Sequence, residues 1–453
     1  MPETTATASV TRRRVASVAI ILAALVTASA FGAGAKGGAV DSAFGPDGEV
    51  SLDMPGKDRP SAMVRTTTGK IAVAIESNQE TWIALLTDDG RLDPTFAGDG
   101  IKKMDLPAGT HIVGLAPVRG GGLLVAAWLR DFTSRPVRNE RIVVAKVLAN
   151  GQLDAGYGTG GLATAAPGEL APLELGWYRF AGMPDGSVVV LGTTGVAVDW
   201  VGGAGVAALM RFTPDGVRDE HFGLNGIAPI ASPAAIPLIG GLAIAPDGGI
   251  LVGETHYPSG SVHEEALLRR FTPSGLPDLN FGVAGIAHLP FPGDWKTVTD
   301  IVVDERGQIV VLGHAASGLI GLVANLLRGR HDGFSPGVAR LHPDGRLDTT
   351  YGEGGITMLH TDGRGNPLSF SGDTALTTAG AYVTAYGERT PGLTTQLLRI
   401  GNDGRVDASY GGDSPIRLPM ENTSAVVVLG NRVVVAGERS WQSGGTVLSA
   451  YWP

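Results

Sequence analysis

The chain contains no cysteine among its 453 residues. Disulfide bonds, thiol nucleophiles and cysteine-ligated zinc sites are therefore excluded. Charged residues are also scarce, at 17% of the sequence, and their balance is acidic, with a formal net charge of −9. An acidic chain is repelled by phosphate groups, so nucleic acid and anionic membrane surfaces are poor candidates for its main partner. The sequence also lacks a nucleophile elbow, a phosphate-binding loop that opens a helix, and an HExxH helix.

Glycine, in contrast, is abundant. It occurs 68 times without a collagen-like period, and 43% of all residues are hydrophobic. This combination is typical of a folded, turn-rich β protein, and a chain of this length can bury a large core.

The first thirty residues differ in composition from the rest. Three arginines, Arg12–Arg14, precede an apolar run from Val15 to Val26, and Ala28-Ser29-Ala30 matches the small-residue pattern at which signal peptidase cleaves. We interpret residues 1–30 as an export signal of the Sec or the twin-arginine type, and expect a secreted or cell-surface protein. A retained membrane anchor is the alternative, although the apolar run is shorter than the ~20 residues that a membrane-spanning helix needs. Contact with a membrane is expected only in that case.

One short motif, Asp-x-x-Phe/Tyr, recurs through residues 31–453. Consecutive copies are separated by 52 to 70 residues, about 61 on average. The seven copies are Asp41/Phe44, Asp93/Phe96, Asp154/Tyr157, Asp219/Phe222, Asp278/Phe281, Asp348/Tyr351 and Asp407/Tyr410. Spacing of this kind is the sequence signature of a repeat architecture.

Each repeat carries the signals of about four strands. From the second copy onward, an apolar alternating run that ends in a turn precedes the motif, as in WIALLTDDG. A tight-hairpin pattern such as MPDGSVVVLGT lies midway between motifs, and a short segment such as GIAPIA follows them. A four-stranded sheet cannot bury both of its faces alone and must stack against neighbours. The sequence therefore predicts an all-β, seven-bladed β-propeller with four antiparallel strands per blade, formed by residues 31–453 as one domain.

The two ends of the chain predict how the ring closes. The last repeat ends at TVLSAYWP, without the turn and motif that follow in the other copies, and the missing elements occur near the start, in KGGAVDSAFGPDG. We therefore expect the N-terminal strand to complete the blade that the C-terminal strands begin. Such closure would remove two exposed sheet edges.

The motif itself is interpreted as structural. In DGRLDPTFAGDG the Asp-Gly pair supplies a turn, the motif aspartate can accept hydrogen bonds from nearby backbone N–H groups, and the aromatic residue is expected to pack between adjacent blades. A calcium loop would need oxygen ligands at alternate positions and an acidic residue about twelve positions on, which these motifs lack.

The copies GQLDAGYGTGG, GVRDEHFGLNG, GLPDLNFGVAG and GRLDTTYGEGG resemble the delta-60 repeat of bacterial exported proteins. The resemblance spans nearly the whole of residues 31–453. It implies a β-propeller without a generally assigned function, and it carries over no catalytic residue. Two copies depart from the pattern: Ala97 stands where a glycine usually follows the aromatic residue, and YGGDSPI lacks the late glycine.

Functional residues are expected where the repeat is broken. The loops between the second and third strands of the blades differ most, and strand alternation places them on one face of the ring, which we call the variable face. Rigid scaffolds commonly carry binding residues on such loops. Aromatic residues there could stack on sugars or peptides, or seal one loop against another. The candidate binding residues are Phe132, Trp200, His256, Tyr257, Arg330, His331 and Trp441, with Trp128 beside them.

The longest of these loops runs from His314 to Gly337. Its apolar residues recur at helical spacing and predict a short helix. These residues are Leu319, Leu322, Val323, Leu326 and Leu327. The apolar side of the helix either packs on the blades or presents a ridge to a partner or membrane.

No catalytic residue, metal site or cofactor is predicted. His256, His263, Glu264 and Glu265 share one loop, but six residues separate the histidines and no third ligand of defined geometry is evident. We expect a monomeric binding module for a cell-envelope polysaccharide or protein. One alternative is an enzyme (a hydrolase, lyase or lactonase) with a site at the central channel, to which several blades contribute. The other alternative is a protein that serves only as a structural spacer.

Overall fold

Seven antiparallel four-stranded sheets, one for each repeat, build the structure. This computed structural model describes residues 37–107, 109–129, 141–165, 179–194, 206–230, 238–256, 264–316, 335–359, 368–377, 380–388, 393–411, 416–440 and 442–453. Within these ranges the only helical segment is one 3₁₀ turn, Arg119–Gly121. None of the helical structure in the described part is long and apolar enough to cross a membrane.

The strands follow one another along the chain, four to a blade. In order they are β1 (Glu49–Leu52), β2 (Asp58–Arg65), β3 (Ile71–Ser77), β4 (Glu80–Leu86), β5 (Ile101–Lys103), β6 (Thr110–Pro117), β7 (Leu123–Leu129), β8 (Arg141–Val147), β9 (Leu162–Thr164), β10 (Arg179–Gly182), β11 (Val188–Thr194), β12 (Val206–Phe212), β13 (Ile227–Pro229), β14 (Leu238–Ile244), β15 (Ile250–His256), β16 (Glu265–Phe271), β17 (Ile286–Leu289), β18 (Trp295–Val303), β19 (Ile309–Ala316), β20 (Ser335–Leu341), β21 (Ile356–Met358), β22 (Leu368–Thr377), β23 (Gly380–Glu388), β24 (Leu393–Gly401), β25 (Ile416–Arg417), β26 (Asn422–Leu429), β27 (Arg432–Ser440) and β28 (Gly444–Tyr451). Blade 1 contains β2–β5, and blades 2 to 6 contain the next five sets of four, ending with β25.

The first strand of each blade lies at the centre of the ring. Each of these strands contacts the first strand of the next blade, and β26 contacts β2, so the series closes on itself. The second strands are buried on both faces, as Ile71–Ile75 shows, because each blade packs against two neighbours. Their sequences are therefore continuous apolar runs and do not alternate between apolar and polar residues. The predicted seven-bladed, all-β propeller is confirmed.

The N-terminal strand closes the ring. Blade 7 consists of β26, β27, β28 and β1, and β1 pairs antiparallel with β28, with Glu49 opposite Ser449. Before β1, the backbone N–H of Gly38 donates to the carbonyl O of Trp452 at 2.8 Å. The predicted sharing of one blade by the two ends of the chain is confirmed.

Each junction between blades has its own hydrophobic cluster, and each cluster contains one motif aromatic residue. Between blades 1 and 2, Phe96 belongs to a cluster with Ile83 and Leu123. The aromatic residues of the other six junctions are Phe44, Tyr157, Phe222, Phe281, Tyr351 and Tyr410. All seven are 3% exposed or less. The prediction that they pack between blades is confirmed.

The motif aspartate closes its own turn and binds a cation. In all seven copies its Oδ1 accepts a hydrogen bond from the backbone N–H two residues later, as in Asp93, where Thr95 donates at 3.0 Å. Its Oδ2 forms an ion pair with a basic side chain in every copy. Arg340 Nη2, for example, lies 2.7 Å from Asp348 Oδ2. The predicted structural role of the motif is confirmed.

The cation reaches the aspartate from one of two strand positions. In blades 1 and 7 it stands at the start of the second strand, as Lys70 and Arg432, while the third-strand position holds Leu85 and Ala450. In blades 2 to 6 the third strand supplies it, as Lys146, Arg211, Arg270, Arg340 and Arg399. What the repeat maintains is therefore the ion pair and not one particular position.

The motif also joins each blade to the next. The Arg211 guanidinium lies 5.2 Å from the centre of the Phe222 ring and donates to the carbonyl O of Pro273 in blade 4 at 2.7 Å. The backbone N–H after the aromatic residue donates to a turn of the next blade, as Gly223 does to Ser274 at 2.7 Å. This second bond occurs at all seven junctions. We call the motif aspartate, its cation, the aromatic residue and this bond the blade clasp.

Loss of β1 should destabilise the whole ring. We expect residues 53–453 to unfold at a lower temperature than residues 31–453, because Phe44, Val50 and Leu52 leave the junction between blades 7 and 1. The loss should exceed the ~3–5 kcal/mol that truncation of one buried phenylalanine costs. Differential scanning calorimetry measures it, and equal melting temperatures would show that β1 does not close the ring.

Ala97 should carry a small conformational strain. Its φ is 55°, in the left-handed region that disfavours a side chain, whereas the same position is glycine with φ of 55° to 59° in five other copies, Gly45, Gly158, Gly223, Gly282 and Gly352. We expect Ala97→Gly to stabilise the protein by about 1 kcal/mol, since relief of the strain exceeds the added chain entropy. As a matched control, Gly160→Ala adds a methyl group in open space at φ 63° and should destabilise. Urea denaturation tests both, and a destabilised Ala97→Gly would refute the argument.

Acid should weaken the clasps. The pKa of Asp407 is lowered to about 2, because Ser409 and Arg399 hydrogen-bond its carboxylate and outweigh burial, which raises it. In the unfolded chain the ordinary value of 3.8 applies, so the folded state binds fewer protons. The stabilisation from Asp407 is therefore complete above pH ~4 and lost as the pH falls towards ~2.

This dependence can be measured by urea denaturation between neutral and acidic pH. Asp407→Asn should lower the stability near neutral pH and reduce its fall in acid. Asp105→Asn, which changes an exposed aspartate outside the motif, should do neither. Identical pH profiles for the parent and Asp407→Asn would contradict the assignment.

Candidate functional site

Six of the seven predicted binding residues lie outside the residues that the structure describes. They are Phe132, Trp200, Tyr257, Arg330, His331 and Trp441. The predicted loop helix falls on residues 317–334, also outside the described ranges, while His314 and Gly337 themselves belong to β19 and β20. These assignments remain predictions, as does the export signal over residues 1–30.

His256 is the seventh of these residues, and the structure places it at the end of a strand. It is the last residue of β15, opposite Glu265, and is buried. Glu264 accepts a hydrogen bond from the backbone N–H of Lys296 in blade 5 at 3.0 Å, whereas Glu265 lies 3.5 Å from the imidazole of His288. Glu265 begins β16, so His256 and Glu265 are strand residues and not loop residues as expected, and the two glutamates contact different neighbours. No group of three histidine, aspartate or glutamate side chains in the described ranges is arranged to hold a metal ion.

Charged and aromatic side chains meet at the inner edge of the variable face, where β2 begins and β3 ends. Arg59 Nη2 donates to Glu76 Oε2 at 2.9 Å, and Glu76 Oε1 accepts a hydrogen bond from the backbone N–H of Ile112 in blade 2 at 2.8 Å. His111 Nδ1 lies 3.7 Å from Glu76 Oε2, and its ring stacks on Trp128 with centroids 4.8 Å apart. We call Arg59, Glu76, His111 and Trp128 the mouth cluster.

The mouth cluster combines rigidity with access. Glu76 is largely buried and bonded to groups of two blades, so it holds both Arg59 and the start of β6, which carries His111, in place. The Arg59 side chain is 59% exposed, and His111 and Trp128 are partly exposed. The group therefore offers a guanidinium, a carboxylate and a stacked aromatic pair to a ligand, without the side-chain reordering that weakens binding.

One position of the second strand varies between blades and holds five different residue types. It lies five residues after the first residue of the strand in blades 1 to 5 and six residues after it in blades 6 and 7, where the strand begins one residue earlier. From blade 1 to blade 7 it holds Glu76, Trp128, Thr193, Thr255, His314, Tyr386 and Glu438. Residues at this position near the variable face therefore differ between blades, whereas every blade keeps the groups of the clasp.

Glu438 is a buried carboxyl at the junction between blades 7 and 1. Its side chain is 4% exposed, and Lys57 Nζ lies 3.8 Å from its Oε1. Within the described residues, that oxygen accepts no hydrogen bond. Burial raises the pKa of Glu438 above its ordinary value, although Lys57 and Arg59 lower it. Glu438 therefore keeps its proton to a higher pH than an exposed glutamate does.

Arg179 joins three blades at the centre of the ring. Its guanidinium donates to the carbonyl O of Gly240 in β14, at 2.6 and 3.0 Å, and to that of Thr299 in β18 at 3.3 Å. The corresponding position in blades 1 and 2 holds the small residues Ala62 and Gly114. Because these bonds engage the guanidinium with the backbone, we assign Arg179 to the scaffold.

Sequence reasoning found Trp128 but missed Arg59, Glu76, His111 and Glu438. Each of the four is an ordinary polar residue in an apolar strand or at its edge, and no motif marks it. Alignment of the seven hairpin patterns would have shown Glu76 and Glu438 as acids in a buried strand. Their grouping, however, depends on contacts between different blades.

Comparison with known proteins supports the propeller fold. A family model described as a domain of unknown function (DUF5122) β-propeller matches residues 184–222, which include one hairpin and the third-blade motif. Among curated proteins, none matches the sequence significantly.

Several solved structures are similar in chain trace. They include a catalytically inactive virginiamycin B lyase from Staphylococcus aureus with quinupristin, at a TM-score of 0.47 and 12% identity, covering 88% of this chain and 98% of that one. Polysaccharide lyase Uly1 has a TM-score of 0.48 and 11% identity, covering 94% of both chains. Prolyl oligopeptidase B from Galerina marginata has a TM-score of 0.47 and 11% identity, covering 86% of this chain and 49% of that one. At these identities and TM-scores none of them carries an argument about function.

Proposed function

We propose that the protein is an exported binding module of the delta-60 repeat type that recognises a cell-envelope polysaccharide on its variable face. One observation carries this proposal. The residues common to all blades are engaged in the clasp, whereas the residues that differ between blades come together, partly exposed, in the mouth cluster. Proteins that carry binding residues on a rigid scaffold show the same separation of constant structural residues from variable binding residues.

The chemistry of the mouth cluster favours a polysaccharide over a protein surface. The indole of Trp128, stacked on His111, offers a flat apolar face to a sugar ring. Arg59 supplies hydrogen-bond donors and Glu76 an acceptor beside it, as hydroxyl and carboxylate groups of a glycan require. The composition of residues 1–30, interpreted as an export signal, supports a location where such polymers occur.

A retention assay on cell-wall and envelope polysaccharides tests the proposal. We expect the double substitution Arg59→Ala and Trp128→Ala to weaken retention at least tenfold, because Trp and Arg commonly dominate binding surfaces. Arg91→Ala provides the control, since this arginine is also exposed, at 83% against 59% for Arg59, but lies on the opposite face. Thermal unfolding of all variants checks their folding. Unchanged retention in the double variant, or an equal loss in Arg91→Ala, would contradict the proposal.

The alternative is an enzyme, and Glu438 is the observation that favours it. A buried carboxyl with a raised pKa can donate a proton as a general acid. The same polysaccharide fractions therefore serve a second assay, for new reducing ends or unsaturated products. Product release by the parent that is abolished in Glu438→Gln, with retention preserved, would replace the binding module by an enzyme.

A further inference from the structure

An exposed apolar surface lies on the face opposite the variable face. Of the large apolar side chains that are exposed in the described part of the chain, five belong to blades 3 and 4 and are between 47% and 79% exposed. They are Val217, Leu224, Leu276, Leu279 and Val283. We call these five residues the apolar patch.

One clasp bond joins the blade 3 part of the apolar patch to the blade 4 part. The bond from Gly223 to Ser274 places Leu224 of blade 3 beside the turn that carries Leu276 of blade 4. The bond from Gly282 to Asp344 likewise places Val283 at the edge of blade 5. The patch therefore spans the junction between blades 3 and 4.

The scaffold does not require apolar residues at these positions, because the other blades do without them. The position of Val217 and Leu276, two before the motif aspartate, holds Arg91, Gln152, Arg346 and Arg405 in blades 1, 2, 5 and 6. The position of Leu224 and Val283, two after the aromatic residue, holds Pro46, Gly98, Thr159 and Glu353 in blades 7, 1, 2 and 5. Elsewhere in the described residues, exposed large apolar side chains occur singly, as Val40, Leu148 and Val406 in blades 7, 2 and 6. A group of five in two adjacent blades indicates an interaction and not a folding need.

The area and the charges around the patch suit a second copy of the same chain. The five side chains expose on the order of 500 Å² of apolar surface, near the upper limit for monomers, and with a polar rim they approach the ~800 Å² per partner of a stable interface. A two-fold axis through blade 4 brings the blade 3 end of one copy against the blade 5 end of the other. At the first end Glu220, 63% exposed, forms an ion pair with Arg218, and at the second Arg346, 79% exposed, forms one with Asp344. Each end therefore carries both signs of charge, and the axis allows Glu220 to face Arg346 and Arg218 to face Asp344.

We propose that the protein forms a two-fold symmetric homodimer through the apolar patch, with Glu220 of each copy facing Arg346 of the other. This departs from the monomer expected from the sequence. It uses the opposite face from the proposed polysaccharide site, so either proposal stands or falls without the other. In the dimer the two variable faces point outward, and both remain accessible.

Sedimentation equilibrium of the full chain tests the dimer. We expect the parent to have the mass of two chains at micromolar concentration, and the double substitution Leu224→Thr and Val283→Glu to weaken dimerisation at least a hundredfold. Both replacements copy residues that other blades hold at these positions, Thr159 and Glu353, so the fold should tolerate them. Thr159→Glu, which adds a charge at the same repeat position outside the patch, should leave the dimer intact. A monomeric parent at its highest soluble concentration, or a dimeric double variant, would overturn the proposal.

A charge exchange tests the two-fold arrangement. Glu220→Arg and Arg346→Glu should each weaken dimerisation at least tenfold by placing like charges together, and their combination should restore it. Failure of the combined variant to recover would overturn the proposed geometry.

Discussion

The ion pair between the motif aspartate and a basic side chain of the same blade is the interaction on which the ring depends. An exposed pair of this kind contributes at most about 1 kcal/mol. Here the aspartates are largely buried, the cation lies over the motif aromatic residue in most blades, and the arginine also donates to the next blade. Each clasp is thus a hydrogen-bonded network across a junction, and such networks stabilise more than their separate pairs. Since a closed ring has no free end, weakening one junction removes support from both of its neighbours.

The clasp also decides where the protein can vary. Within each blade clasp, the aspartate, the cation and the aromatic residue form hydrogen bonds and packing contacts with one another, so these positions cannot vary freely. Away from these groups, the blades differ. Near the variable face, Glu76, Trp128 and Glu438 occupy one equivalent strand position, and on the opposite face Leu224 and Val283 stand where other blades are polar. The surface proposed for binding and the surface proposed for dimerisation therefore both consist of residues that differ from the repeat, and they lie on opposite faces of the ring.

The fold was predictable because its signals are local. Each motif, its turn and its hairpin lie within one repeat, so seven copies predict seven blades, and the incomplete last repeat predicts closure by the first strand. The alternative cations were not predictable in the same way. Lys70 and Arg432 come from a different strand than Lys146 or Arg211, and only the three-dimensional pairing shows that they replace them. The mouth cluster was missed for a related reason: Glu76 and His111 belong to different blades, and neither is unusual in its own segment. For Trp200 and the other loop candidates, the described residues offer no test.

Closure of the ring by its first strand has a consequence for synthesis. Asp41 is made long before Arg432, its partner 391 positions later in the chain. Until the last strands have been made, the first strand of the domain has no partner, and a chain that stops early leaves unpaired strand edges at both sides of the gap. Such edges pair readily with other chains and attract chaperones and proteases. The ring can therefore close only after the whole domain has been made, because the first strand stays unpaired until the final strands are present.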